Sequence, residues 1–165
     1  MNKAIIFDFD GTLVDSEKSI LKCFKKITHQ IIPNRVNMLE KILIGPPLKE
    51  TASLILGPDN RDRLDEFISK FIKMHDEQVT IHTKPYSNVK KILKKFHSHE
   101  IPMAIATNKR NLPTLQLIKY FGWEQYFSNI ECSDNGSSFR NKTKIIKDII
   151  DNDLRFKHGF FLGDT

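Results

Sequence analysis

Two carboxylates near the N-terminus are spaced so that they could do chemistry together. In Ala4-Ile5-Ile6-Phe7-Asp8-Phe9-Asp10-Gly11 they close a short apolar run suited to a strand buried on both faces. Their i, i+2 spacing sends both side chains to one side, while Phe9 points the other way. Like charges a few ångströms apart repel, so the pair requires a shared proton or a cation. A hard cation with oxygen ligands, Mg²⁺ above all, is the natural neutraliser. Gly11 lets the backbone turn sharply and approach a ligand with no Cβ in the way. A bare Asp-x-Asp-Gly is more often a turn that merely ends a strand; the run through Thr12, Asp15 and Ser16 is more specific.

Two further places carry chemical residue types. Thr107-Asn108 closes the apolar run Pro102–Thr107 and precedes a helix whose start is marked by Asn111 and Pro113. A hydroxyl, free backbone N–H groups and a helix N-terminus together make an anion cradle. Thr-Asn alone is also an ordinary helix-start turn. Lys142, in Arg140-Asn141-Lys142-Thr143-Lys144, begins the next helix. A cation near both a nucleophile and a phosphate lowers the repulsion between two anions, although most lysines in so Lys-rich a chain are solvated surface.

The elements that must position these residues follow from periodicity. Ile20, Phe24, Ile27 and Ile31 recur at helical spacing, with Asp15 or Ser16 placed to cap that helix. A second helical stretch runs through Val36, Leu39, Ile42 and Leu43 and stops at Gly45-Pro46-Pro47. A third covers Thr51 to Leu56, and the longest carries Leu64, Phe67, Ile68, Phe71 and Ile72. Nothing between Ser16 and about Thr83 reads as a strand. From Lys84 the pattern changes: helix Ser87–His99, strand Pro102–Thr107, helix Leu112–Phe121, a brief apolar piece at Phe127–Cys132, a helix with Ile145, Ile146, Ile149 and Ile150, and the strand Gly159–Thr165. Alternating strands and helices predict βαβ units and a parallel sheet. Ligands of such sheets bind beyond the carboxyl ends of the strands, near the point where strand order reverses.

The run Asp8-Phe9-Asp10-Gly11-Thr12-Leu13-Val14-Asp15-Ser16 resembles the signature of the haloacid dehalogenase superfamily. The resemblance implies an α/β fold: a Rossmann-like parallel sheet flanked by helices over residues 1–15 and 84–165, with a helical C1 cap inserted over 16–83. It implies Asp8 as nucleophile and Asp10 as general acid/base. An acid at position 10 separates phosphatases and phosphomutases from true dehalogenases. Thr107, with Asn108 and Gly11, then binds the phosphoryl group. Lys142 becomes the catalytic cation, with Lys144 as the competing choice, because phosphoglycolate-phosphatase-like relatives carry an Asn-Lys before the same kind of Ile-rich helix. Asp164, in Gly163-Asp164-Thr165, becomes a Mg²⁺ ligand beside Asp8 and the backbone carbonyl of Asp10. Gly45-Pro46-Pro47-Leu48-Lys49 resembles the cap loop that dips into such sites, with Lys49 as a substrate contact. Arg110 stands where many relatives have Pro. Relatives continue beyond the fourth motif through another helix and strand, so the C-terminal part of the core is expected to be missing, leaving apolar surface and a sheet edge exposed.

The totals bound the rest. A chain of 165 residues with 39% hydrophobic and 28% charged content is globular, with room for one core and a small appended domain. No segment could span a bilayer, and the first apolar run is too short for a secretory signal. Cys23 and Cys132 lack metal or redox spacing and read as packed, reduced thiols of a cytoplasmic protein. The net charge of +6 is spread over helix faces such as Lys90, Lys91, Lys94 and Lys95, without a nucleic-acid motif. The six histidines show no metal spacing and read as surface or ordinary core; Trp123 reads as core. The expected protein is a Mg²⁺-dependent phosphatase acting on a small phosphorylated metabolite, a monomer or weak dimer with no nucleic-acid or membrane partner. A β-phosphoglucomutase-like phosphomutase and a non-catalytic phosphate- or partner-binding module are the alternatives.

Overall fold

The computed structural model describes residues 3–135 and 140–163. Its centre is a four-stranded parallel sheet flanked by helices, formed by β1 (Ile5–Phe7), which is followed later in the chain by three partners. Along β1 the pleat divides the residues cleanly. Ile5 and Phe7 join a core that includes Met103, Ile105, Leu117 and Trp123. Ala4 and Ile6 face the other way, onto Ala104, Ala106, Ile145, Ile149 and Phe156. The continuous apolar run is therefore explained by burial on both faces.

After β1 come a short strand β2 (Val14–Asp15) and the helix α1 (Glu17–Ile31). Then follow α2 (Leu48–Leu56), α3 (Leu64–His82), a short strand β3 (Lys84–Pro85), α4 (Val89–Ser98), β4 (Met103–Thr107), α5 (Asn111–Phe121), β5 (Asn129–Cys132), α6 (Lys142–Asn152) and β6 (Phe160–Leu162). The sheet order is β5-β4-β1-β6. The chain steps outward from β1 through β4 to β5, then returns to the other side of β1, so strand order reverses at the carboxyl end of β1. Asp8 stands there. Phe160, Phe161 and Leu162 of the edge strand β6 are exposed.

Among the described residues between Ser16 and Thr83 there is no strand. α1, α2 and α3 build their own core from Ile20, Phe24, Ile27, Ala52, Ile55, Phe67 and Phe71. Phe24 stacks on Phe71 with ring centroids 4.4 Å apart. The two chain crossings between this helical block and the sheet are paired: Val14 lies opposite Pro85 and Asp15 opposite Lys84 in an antiparallel ribbon. Two-residue strands are too short to leave a periodic signal, so periodicity does not reveal them.

One expected helix differs. The stretch Pro33–Lys41 winds as a 3₁₀ helix without a fully buried residue. In 3₁₀ winding, side chains three apart eclipse, so Val36 and Leu39 crowd one line and bury only partly. Trp123 is core, Cys23 and Cys132 are buried and unbridged, and burial pushes the Cys132 thiol up to about 12. No helix among the described residues is long and apolar enough to cross a membrane.

Candidate active site at the sheet–cap junction

The turn that leaves β1 builds the first wall of the site. Phe9 turns inward to full burial, and its carbonyl accepts from the N–H groups of Leu13 and Val14. Gly11 makes this loop with φ 80°, in the left-handed region that favours glycine. Asp8 is only 4% exposed. Its Oδ1 accepts from the Phe9 N–H at 2.7 Å, and its Oδ2 accepts from the Lys142 ammonium. Burial raises the Asp8 pKa above the usual carboxylate range; the Lys142 bond and the Phe9 N–H pull it back, and Asp10 pushes it up again.

Asp10 is held by two donors. Ser16 Oγ donates to Oδ1 at 2.6 Å, and Lys109 Nζ lies 3.2 Å from both carboxylate oxygens. Ser16 occupies the N-cap position of α1, yet its hydroxyl makes no capping bond. The Asp10 carboxylate, a charged acceptor, takes it instead.

β4 supplies the second wall. Thr107 is buried, and its Oγ1 accepts from the Lys109 N–H at 3.1 Å, which shapes the turn into α5. Asn108 Nδ2 donates to the Gly45 carbonyl at 3.0 Å, tying this turn to the loop before α2. Gly45 has φ 134°, again in the region that favours glycine. At the start of α6, Asn141 Oδ1 caps the helix by accepting from the Lys144 N–H at 2.9 Å. Arg140 anchors the same turn to Glu131 and Asp148. Lys142 is thereby directed at Asp8, whereas Lys144 faces solvent and pairs with Asp148 at 3.3 Å.

One cavity of about 80 Å³ lies between these walls. Asp8, Asp10, Thr107, Asn108 and Lys142 all line it. Gly11 does not: it sits in the supporting turn, with its own N–H bound to the Val14 carbonyl at 2.9 Å. Lys49 does not either. Leu48 and Thr51 share the inward face of α2 at i, i+3, and the side chain between them is turned to solvent. Asp164 lies outside the described residues.

The structure also brings in residues to which the sequence assigned no role. Lys109 pairs with Asp10 with its side chain only 5% exposed. Arg110 pairs with Asp76 of α3, across the junction between helical block and sheet. His75, 3% exposed, lines the cavity, stacked on Phe71 with centroids 5.3 Å apart. It is therefore neither surface nor plain core. Its signal was available: Phe67, Phe71, His75 and Val79 fall at i, i+4 steps, so the histidine continues the buried stripe of α3. Burial at Asp76 opposes ionisation, but His75 and Arg110 together hold its carboxyl below the usual range.

The donor set suits a hard divalent ion. Two carboxylates and a main-chain carbonyl are oxygen donors of the kind such an ion takes, and each carboxylate keeps at least one lone pair beyond the bonds described. Among the described residues no group of three or more His, Cys, Asp or Glu side chains is arranged to hold a metal.

An acidic pair at the reversal point of a parallel α/β sheet, with a block of helices beside it, places the chain among α/β proteins with a site at the carboxyl ends of the strands. A family model described as haloacid dehalogenase-like hydrolase matches residues 5–165. The chain belongs to that family. It is 25% identical over 132 residues to pyrophosphatase PpaX of Halalkalibacterium halodurans, covering 79% of this chain and 60% of that protein. It is 32% identical over 138 residues to phosphoglycolate phosphatase of Photobacterium profundum, covering 78% and 59%. The chain thus spans about three fifths of the length of these curated relatives. A Bacteroides fragilis protein described as a haloacid dehalogenase-like hydrolase superposes with TM-score 0.85 at 22% identity, over all of this chain and 80% of that one. A haloacid dehalogenase-like family hydrolase of Streptococcus pneumoniae gives 0.80 at 20% identity over 99% and 76%. At these identities the two structures establish the fold.

Proposed function

We propose that this protein is a Mg²⁺-dependent phosphatase that hydrolyses a small phosphate monoester through an aspartyl-phosphate on Asp8. What carries the reading is the Lys142–Asp8 contact inside a cavity shared with Asp10 and Thr107. The names of the relatives, phosphoglycolate phosphatase and pyrophosphatase, agree with phosphoryl transfer to water.

In this account Asp8 Oδ attacks phosphorus, forming a P–O bond as the ester P–O bond breaks. Lys142 keeps Asp8 ionised against the cost of burial and offsets the charge of the incoming phosphoryl oxygens. Asp10 gives a proton to the leaving alcohol, then takes one from the water that attacks the aspartyl-phosphate. Ser16 and Lys109 fix its orientation for both duties. Thr107 and the backbone N–H groups before α5 hold the phosphoryl oxygens. Asp8, the Asp10 carbonyl and Asp164 would hold Mg²⁺, which when bound supplies positive charge opposite the developing phosphoryl charge. Residues 16–83 act as a cap over the site, and the paired crossings at β2 and β3 are where such a cap would pivot.

Turnover of an aryl phosphate by the full protein tests the reading. Release of inorganic phosphate that requires Mg²⁺ and vanishes in Asp8→Asn is expected. Metal-independent release, or release that survives in Asp8→Asn, overturns it.

A further inference from the structure

The cavity carries two hydrogen-bond acceptors with nothing to accept, one on each wall. His75 Nε2 and Asn108 Oδ1 are buried and have no partner among the described residues, and both residues line the same cavity. A buried acceptor left unpaired loses its water without compensation, so such atoms in a cavity mark where a ligand donor belongs.

Their roles as acceptors follow from their other contacts. Asn108 uses Nδ2 on the Gly45 carbonyl, which leaves the amide oxygen as the open end. His75 Nδ1 lies 3.7 Å from Asp76 Oδ1. That is too long for a hydrogen bond, but the carboxylate's potential favours the ring proton on that nitrogen. Burial holds the ring below its ordinary pKa, so it carries one proton near neutrality and Nε2 is bare.

The charges on the same walls are already matched. Lys142 is paired with Asp8, Lys109 with Asp10, and Arg110 with Asp76. Among the described lining residues no cation stands free to meet a second negative group on the substrate. An anionic tail would instead meet two bare acceptors and lose its hydration. A hydroxyl donates one hydrogen and would satisfy either of them, and a tail with more than one hydroxyl could satisfy both.

We propose that His75 and Asn108 select a phosphate monoester whose alcohol carries a second hydroxyl close to the ester oxygen, in the manner of a polyol or sugar phosphate. His75 is the specificity-determining residue and Asn108 its partner on the sheet side. The inference rests on the phosphatase reading for the position of the phosphoryl group, and it separates this chain from a preference for a carboxylate or a second phosphoryl group.

Three near-isosteric probes decide it: 2-hydroxyethyl phosphate, ethyl phosphate and phosphoglycolate, titrated by calorimetry with Mg²⁺ into the full chain carrying Asp8→Asn, which prevents turnover. 2-Hydroxyethyl phosphate is expected to bind about tenfold tighter than ethyl phosphate, the effect of one well-placed hydrogen bond, and tighter than phosphoglycolate. The advantage over ethyl phosphate should disappear in His75→Phe, which keeps the stacking on Phe71, and survive in part in His75→Gln, which keeps an acceptor. Phosphoglycolate binding tightest, an equal hydroxyl advantage in His75→Phe, or no binding of any probe overturns the proposal. Hydrolysis is measured separately in the chain that retains Asp8. If the binding pattern holds while no ester is hydrolysed, the phosphatase reading fails and the selectivity stands.

Discussion

The two walls of the cavity are built on opposite principles. The sheet side presents charge: Asp8 and Asp10, each held by a lysine, with Thr107 at the end of the neighbouring strand. The cap side presents mostly apolar surface, Ile20, Phe24, Leu48 and Phe71, with the Thr51 hydroxyl already bound to the Pro47 carbonyl and the neutral His75 ring. The difference teaches a division of labour. On the proposed reading, charge on the sheet acts on the phosphoryl group that every phosphate ester shares, so its positions follow from the chemistry alone. On the same reading, the helical side meets the part of the substrate that varies, and selectivity there comes from shape and the bare acceptor of His75.

The comparison breaks most visibly on the sheet side. Lys142→Met is expected to lower kcat by about 10² to 10³-fold, because a buried Asp8 would lose the cation that keeps it ionised. A loss of less than tenfold in a steady-state assay would mean that the contact with Asp8 is structural only. On the junction between the walls the effect should be smaller. Arg110→Ala removes the pair with Asp76, and an increase in KM of about five- to tenfold is expected with kcat nearly unchanged. The pair is partly exposed, so the loss of stability should stay near 1 kcal/mol in a denaturant titration.

The cap side can be sharpened by pH. Burial, opposed by Asp76 and Asp10 and helped by Lys109, holds His75 below its ordinary value in the folded chain. The unfolded ring protonates near 6.5, about the unperturbed value, and the folded ring lower still. The unfolded state therefore binds more protons in that interval. Stability contributed by His75 is complete above about pH 6.5 and is lost as pH falls through the folded value. Melting temperatures measured between pH 7.5 and 5 by calorimetry should fall less steeply in His75→Gln than in the parent. Equal slopes would place the ring in contact with water. The smallest effect is expected outside both walls: Lys49→Ala should change kcat/KM by less than about twofold, as for an exposed side chain with no partner in the site.

Most of the sheet wall was legible in the sequence because strand geometry is strict. A period of two fixes which side Asp8 and Asp10 share, and an apolar run ending in Thr107 fixes where the anion cradle begins. Lys142 and Lys144 could not be separated by spacing. The choice depends on where α6 starts, which Asn141 sets by capping and Arg140 by anchoring. The cap wall was less legible. Lys49 drew attention through the resemblance of its Gly- and Pro-rich loop to a cap loop, yet helical phase turns it outward. His75 was overlooked because a lone histidine carries no spacing signal for metal, although its place on the buried stripe of α3 was readable. The pairs Lys109–Asp10 and Arg110–Asp76 join residues 99 and 34 positions apart, and no local pattern reveals such a contact.

The most direct test of the account is chemical. The protein is mixed briefly with an aryl phosphate and Mg²⁺, quenched in acid, and mapped by peptide mass spectrometry. The account predicts one phosphoryl group on the peptide containing Asp8, labile to hydroxylamine and absent in Asp8→Asn. A phosphoryl group trapped on any other side chain, or turnover with none trapped on Asp8 under conditions that slow hydrolysis, would contradict it.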